Sequence, residues 1–173
     1  MTTRIILTVL GSDRPGLTQA LADAVLAAGG NWLESRLSRL GGKYVGSVLV
    51  ELEAAALPAL EAEIRKVDGS GLQVAIVPAG DEPPAAAGAM SLELVGQDRP
   101  GIVREVTSVL AALGVNIEDF SSQTENSAWS GDLLFRARLR VTVPGGVSLE
   151  AVRDTLEAIS GEIMVDLSLN GPR

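Results

Sequence analysis

The sequence predicts an α+β fold made of two similar βαββαβ units, and three observations support this prediction. The segment Gly11–Leu17 (GSDRPGL) returns as Gly96–Ile102 (GQDRPGI), an offset of 85 positions (98 − 13 for the two aspartates). Asn31 and Asn116 are separated by the same 85 positions. The apolar patterns around these landmarks also repeat. A repeat of this kind indicates the architecture before any single residue is considered.

A strand begins each unit, since apolar residues occupy every second position there. The inward positions are Ile5, Leu7 and Val9 in the first unit, and Met90, Leu92 and Leu94 in the second. A helix follows the repeated loop, because apolar residues then fall on one stripe at helical spacing. That stripe contains Leu17, Leu21, Ala24, Val25 and Ala28, and in the second unit Ile102, Val106, Val109, Leu110 and Leu113.

Prolines and glycines mark the expected ends of these two helices. We expect Pro15 and Pro100 at the first helical position, where a missing N–H costs nothing. We expect Gly29 and Gly114 to end the helices, since glycine is common just after the last helical residue. Both pairs share the 85-residue offset, so the prediction applies to both units.

The remaining elements follow in the same order in both units. The second strand opens at Asn31 and at Asn116, and Gly41-Gly42 predicts a hairpin turn in the first unit. A longer loop, from about Glu125 to Asp132, replaces that turn in the second unit. In the first unit, the inward positions of the third strand are Tyr44, Gly46, Val48 and Val50. Those of the second helix are Leu57, Leu60, Ile64 and Val67, and those of the fourth strand are Leu72, Val74 and Ile76. In the second unit, the inward positions of the third strand are Phe135, Ala137, Leu139, Val141 and Val143. Those of the second helix are Leu149, Val152, Leu156 and Ile159, and those of the fourth strand are Ile163, Val165 and Leu167.

Right-handed crossovers fold this order into a four-stranded antiparallel sheet with two helices on one face, the ferredoxin-like arrangement. We therefore predict one such domain over residues 1–78 and a second over residues 89–173. The segment 79–88 is rich in Pro, Gly and Ala and is expected to be a linker.

Composition argues against several classes of function. The chain has no Cys and no His, which removes disulfides, thiol nucleophiles, Ser-His dyads and ordinary zinc sites. We accordingly predict no catalytic residue, no metal and no cofactor. The net charge of −8, the pI of about 4.6 and the 3% aromatic content oppose direct binding of nucleic acid. No apolar stretch is long enough to span a membrane and no signal peptide is visible, so we expect a cytoplasmic protein.

The candidate site is the loop before the first helix of each unit, together with the asparagine that opens the second strand. The carboxylates there could hold a ligand ammonium or cap the helix. The glycines could admit a ligand carboxylate to backbone N–H groups or only allow close packing. The asparagines could bond a ligand or act as turn residues, and the arginines could attract anions or pair with surface Asp. The eight candidates are Asp13, Arg14, Gly16, Asn31, Asp98, Arg99, Gly101 and Asn116.

Two further features lie outside this loop. Arg136, Arg138 and Arg140 form a stripe on one face of the third strand of the second unit. Glu93 on the neighbouring strand is the expected cross-strand partner, which predicts a solvated face of ion pairs. Trp129 in the longer loop could cap a ligand, contact a partner or pack on its own domain.

Asp-Arg-Pro-Gly after the first strand, with Asn at the start of the second, resembles the ACT domain family, and the resemblance covers nearly the whole chain twice. It implies a small amino acid ligand, of glycine or serine size, bound at an interface between paired domains, and a homo-oligomer. The second half also resembles the glycine cleavage system transcriptional repressor group, through Ser130-Gly131, Leu134-Phe135, Val143-Pro144, the Leu149 helix and the strand with Asp166. That group implies a regulator that acts through a DNA-binding partner protein.

The sequence thus predicts a non-enzymatic regulator that senses a small amino acid through tandem domains. One alternative is a structural or interaction module without a ligand. Another is an acylphosphatase-like enzyme, since Arg14 with Asn31, or Arg99 with Asn116, superficially match its arginine and asparagine. A proline removes one N–H donor from each loop, which disfavours a phosphate site of that kind.

Overall fold

The computed structural model of the chain describes residues 1–69, 71–80, 89–127, 132–159 and 163–169, with side chains described as far as Met164. The chain divides into two compact units, Met1–Glu82 and Pro83–Arg173. Most of the expected linker lies outside the described residues, which stop at Gly80 and resume at Ala89. The domain limits 1–78 and 89–173 therefore stay predictions.

The first unit has the predicted order of strands and helices. It contains β1 (Thr2–Ser12), α1 (Leu17–Ala27), β2 (Asn31–Leu40), β3 (Lys43–Glu53), a 3-10 turn (Ala54–Ala56), α2 (Leu57–Asp68) and β4 (Leu72–Pro78). The four strands form one sheet in the order β2-β3-β1-β4, and every neighbouring pair is antiparallel. The turn at Gly41-Gly42 joins β2 to β3 as predicted. This topology confirms the ferredoxin-like unit.

The second unit repeats the first with a different hairpin. It contains β5 (Ala89–Gln97), α3 (Ile102–Ala112), β6 (Asn116–Asn126), β7 (Leu133–Thr142), α4 (Leu149–Glu157) and β8 (Met164–Leu169). Its sheet has the order β6-β7-β5-β8, again antiparallel throughout. Strand β6 continues through Glu125, so the longer loop begins later than predicted. Trp129 and Ser130-Gly131 of that loop lie outside the described residues, as does the side chain of Asp166.

An apolar core lies between the sheet and the two helices of each unit. In the first unit, Leu7 of the sheet and Leu21 and Leu60 of the helices are fully buried. In the second unit, Val106 and Val152 are the fully buried counterparts on the helices. Each such side chain contributes about 1.5–3 kcal/mol by leaving water. The repeated stripes in the sequence are therefore the main source of stability of both units.

Both first helices begin two residues later than predicted. Pro15 and Pro100 lie in turns, and Gly16 and Gly101 are the N-cap residues. The reason is conformational, because these glycines have φ of 90° and 92° with ψ near 0°. Such values belong to the third residue of a type II turn, in which proline is common at the second position. A residue with that φ cannot be helical, so each helix starts just after it.

The opposite ends of these helices are as predicted. In α1, the N–H of Gly30 donates to the C=O of Val25 and the N–H of Gly29 donates to the C=O of Leu26, both at 2.9 Å. Together with the positive φ of Gly29, these bonds form a Schellman motif. The same pair of bonds follows α3 at Gly114. Each chain segment therefore enters β2 or β6 in the same way.

Candidate functional site

The loop before α3 holds the candidate residues of the second unit in a fixed backbone conformation. The N–H of Ile102 donates to the C=O of Arg99 (3.3 Å), which closes a four-residue turn. The C=O of Gly101 then accepts from the N–H of Glu105 (3.0 Å), which is the first bond of the helix. The backbone itself therefore sets where Asp98, Arg99 and Gly101 lie.

This loop borders a cleft of about 400 Å³ in the second unit. The cleft is lined by the loop, the first turn of α3, and residues of β6 and β7. Its lining residues are Asp98, Arg99, Gly101, Ile102, Val103, Ser122, Gln123, Thr124 and Phe135. Three of the four residues predicted for this unit thus meet in one place. The lining combines charged, hydroxyl, amide and apolar groups, a mixture typical of small-molecule sites.

Asp98 is half-buried in this cleft. Its backbone N–H donates to the C=O of Leu133 (2.9 Å). Within the described part of the chain, no hydrogen bond or ion pair engages its carboxylate. The alternative in which Asp13 and Asp98 cap their helices is wrong, because neither α1 nor α3 has a side-chain cap. The type II turn places glycine at the cap position instead.

Arg99 is held by Glu105, a residue that the sequence prediction did not include. Its Nη1 donates to Oε1 of Glu105 (2.8 Å), and its Nη2 donates to the other carboxylate oxygen. The hydrogen bond from Arg99 lowers the pKa of Glu105 below its ordinary value, with the charges of Arg99 and Arg104 adding to the effect against desolvation. Glu105 could have been found as an acidic residue in a first helical turn, where carboxylates are favoured.

Asn116 lies at the opposite end of the sheet from the loop of its own unit. It pairs with Thr142, which also pairs with Ala89 at the start of β5, whereas the loop follows Gln97 at the end of that strand. Eight steps along a strand span about 26 Å at ~3.3 Å per residue. The strand registers of the first unit separate Asn31 from its loop in the same way. A site within one unit therefore contains the loop residues without the asparagine.

The equivalent loop of the first unit is tied to the neighbouring strands by its own side chains. Arg39 of β2 pairs with Asp13 of the loop (Nε to Oδ2, 3.3 Å). The hydroxyls of Thr18 and Tyr44 form a hydrogen bond of 2.6 Å between the start of α1 and β3. The other two predicted residues of this loop are exposed: Arg14 and Gly16.

Three of the cleft residues come from β6 and were beyond the sequence prediction: Ser122, Gln123 and Thr124. The pairing of the strands could have found them. An antiparallel strand that starts at the far end of the sheet must finish beside the loop, because the loop follows the other end. Sequence patterns identified β6 as a strand but did not place its polar end next to Asp98.

Ion pairs hold the arginine stripe of β7, as predicted. Arg136 contacts Glu93 of β5 (2.7 Å) and Glu125 of β6 (2.8 Å), and Arg138 lies 3.7 Å from Glu93. Hydrogen bonds from Arg136 lower the pKa of both glutamates, and the same bonds raise the pKa of Arg136. This face of the second sheet is therefore a network of cross-strand ion pairs.

In the described part of the chain, no group of three or more Asp or Glu side chains is placed to hold a metal ion. Among the same residues, no helix is long and apolar enough to cross a membrane. The cleft beside Asp98 offers a carboxylate, a guanidinium, hydroxyls and an amide, which can bind a small polar molecule by charge and hydrogen bonds.

Comparison with known proteins gives a consistent result. Two models of the ACT domain match the chain, over residues 3–76 and 90–161. The glycine cleavage system transcriptional repressor of Escherichia coli K12 is 23% identical over 170 residues, covering 96% of this chain and 88% of that protein. The repressor of the same name from Shigella flexneri matches equally, with 23% identity over 170 residues.

Two solved structures have a similar fold over nearly the whole chain. A protein from Galdieria sulphuraria, described as unknown, has a TM-score of 0.77 and 29% identity, covering 96% of this chain and 98% of that one. A crystal structure provisionally described as a glycine cleavage system transcriptional repressor has a TM-score of 0.74 and 18% identity, covering 98% and 99% of the two chains. At 18% identity, the second likeness shows the fold alone.

Proposed function

Because this chain belongs to the ACT domain family, we propose that it is a non-enzymatic regulatory protein that senses a small amino acid. The observation that carries the proposal is the cleft of the second unit, which brings Asp98 and Gly101 together beside polar and apolar side chains. A sensor needs such a site on a stable scaffold, and the fully buried cores provide that scaffold.

An amino acid has an ammonium and a carboxylate close together, and the cleft offers a partner for each. The Asp98 carboxylate binds the ammonium through a charge-assisted hydrogen bond. The N–H groups in the first turn of α3 lack intrahelical acceptors and bind the carboxylate, since a helix N-terminus favours anions. The hydroxyls of Ser122 and Thr124 supply further donors.

We propose a ligand of glycine or serine size. Apolar contacts for its small side chain come from Ile102, Val103 and Phe135. One similar protein is described as a repressor of the glycine cleavage system, which makes glycine the first amino acid to test.

We further propose a homo-oligomer in which the ligand binds where ACT domains of partner chains pair. Asn31 and Asn116 lie too far from the loops of their own units to join a site there. The sheet order leaves β2, β4, β6 and β8 as edge strands, and exposed edges are commonly paired or covered.

Regulation would pass through a second protein. The net charge of −8 and the pI of about 4.6 oppose contact with nucleic acid phosphates, so the chain is not expected to bind DNA itself. Similarity to a transcriptional repressor supports a DNA-binding regulator as the partner and the cytoplasm as the compartment.

Two other functions have less support. A structural or interaction module without a ligand would not need the cleft or the half-buried Asp98. An acylphosphatase-like enzyme needs an arginine directed at phosphate, whereas Arg99 already makes two hydrogen bonds to Glu105. The proline of each loop also removes an N–H donor from any phosphate site.

A thermal-shift screen with the twenty amino acids tests the proposal, because a ligand that binds only the folded state raises the unfolding midpoint. Calorimetry then measures the affinity of the best amino acid for the wild type and for Asp98→Asn. We expect Asp98→Asn to weaken binding by about 1.5–3 kcal/mol, the contribution of a hydrogen bond to a charged group.

Asp154→Asn is the matched control, since it makes the same change on the exposed side of α4, away from the cleft. It should leave the affinity unchanged. The proposal fails if no amino acid shifts the midpoint, and the site assignment fails if the two variants bind equally.

A further inference from the structure

We infer that each chain binds one amino acid, in the cleft of the second unit. In the first unit, the unit's own side chains occupy the equivalent position. This inference rests on the proposed function and adds to it the number and place of the sites. It comes from a comparison of the two repeats, position by position.

The strand registers define which residues are equivalent. In the first unit, Tyr44 of β3 pairs with Gly11 of β1 and with Arg39 of β2. In the second unit, the residue that pairs with Gly96 and with Thr124 is Phe135. The cleft residues Asp98, Val103, Thr124 and Phe135 therefore correspond to Asp13, Thr18, Arg39 and Tyr44.

Two contacts join these positions in the first unit. The guanidinium of Arg39 lies 3.3 Å from the carboxylate of Asp13, so a cation already stands where a ligand ammonium would bind. The hydroxyls of Thr18 and Tyr44 bond at 2.6 Å and connect the first turn of α1 to β3. Together they tie the loop and helix to both neighbouring strands.

The second unit cannot make either contact. Thr124 has no charge to offer Asp98, and the side chains of Val103 and Phe135 have no hydroxyl. These substitutions at three positions account for the cleft of about 400 Å³ beside an aspartate that both repeats share. The difference between the units is thus chemical and not only a matter of shape.

Arg39 and Asp13 are largely exposed, so their ion pair is weak, and a ligand could displace Arg39 at modest cost. Breaking the Thr18–Tyr44 hydrogen bond adds to that cost. The two contacts together should weaken binding in the first unit by about tenfold or more, which corresponds to ~1.4 kcal/mol. At a ligand concentration equal to the dissociation constant of the second unit, that site is half filled and the first is filled to about one-tenth or less.

Isothermal calorimetry with glycine, serine or whichever of the twenty amino acids shifts the midpoint tests this directly. The wild type should show one tight site per chain, with any binding in the first unit at least about tenfold weaker. The variant V103T/T124R/F135Y transfers the first unit's contacts to the second and should lose at least about tenfold in affinity. The milder double variant V103T/F135Y, which adds no charge, should also weaken binding, and circular dichroism confirms that both remain folded.

The matched control is T18V/R39T/Y44F, which makes the reverse changes in the first unit. It should leave the affinity of the original site within about twofold, well below the tenfold step expected from the two contacts together. Two equal sites in the wild type, or wild-type affinity in the folded V103T/T124R/F135Y variant, would overturn the inference while leaving the proposed function intact. If none of the twenty amino acids binds, both the proposed function and this inference are wrong.

Discussion

The conformation of Gly16 and Gly101 shows what sequence can and cannot predict at a single residue. Asp-Arg-Pro-Gly is compatible with a helix that starts at proline and with a type II turn, because proline suits both positions. The φ of 90° and 92° selects the turn and moves each helix start to the residue after glycine. The pattern of apolar side chains does not predict this backbone angle, so the start of each helix was predicted two residues too early.

Replacing Gly101 by alanine should destabilise the second unit by about 1–2 kcal/mol, the cost of a left-handed conformation for a residue with a Cβ. No crowding adds to this, since among the described residues the nearest atom to an added Cβ is a Glu105 oxygen at 4.0 Å. Urea unfolding of the full chain measures the change in free energy of unfolding.

Gly145→Ala is the control, because this glycine has ordinary φ and open space around it. Its effect should stay within about 0.5 kcal/mol, as for most surface changes. Equal effects of the two substitutions would mean that the φ of Gly101 does not constrain the fold.

The elements were more predictable than the contacts between them. Repeated apolar stripes predicted the eight strands and four α-helices found among the described residues, since burial of one face determines both period and type. The ion pairs of Glu93 with Arg136 and Arg138 followed from simple alternation on adjacent strands. The polar end of β6 was not placed beside the loop, because that requires the direction and register of three strands together.

The ion pairs between β5, β6 and β7 predict a pH dependence. Arg136 lowers the pKa of Glu93 and Glu125 in the folded state, chiefly by hydrogen bonding. A lowered folded pKa stabilises the fold above the unfolded value of 4.5, and this contribution disappears as the pH falls through the lower folded value. Arg136→Met should therefore reduce the free energy of unfolding at pH 7 more than at pH 3.

Arg153→Met on the exposed side of α4 is the control, since no ion pair of Arg153 is found among the described residues. Its effect on the free energy of unfolding should be the same at both pH values. A pH-independent effect of Arg136→Met, measured by the same urea titrations, would show that the ion pairs contribute no net stability.

For the whole molecule, the repeat identified the fold and concealed a difference in function. The two units share Asp-Arg-Pro-Gly, yet Asp98 of the second unit lines a cleft, whereas Asp13 of the first pairs with Arg39. From the sequence alone, both loops were equal candidates for the site. Arg39 and Tyr44 lie far from Asp13 along the chain, and Thr18 belongs to no recognisable motif. Their contacts around the loop become apparent only once the pairing of the strands is known.

The most direct test of the central claim is an amide NMR titration of the full chain with the amino acid that gives the largest thermal shift. The account predicts saturable changes at the amides of Gly101, Ile102 and Ser122, all beside the cleft, with any change at Gly16 appearing only at least about tenfold higher in ligand concentration. Saturable changes confined to the loop at Gly16, or to residues away from both loops, would contradict it.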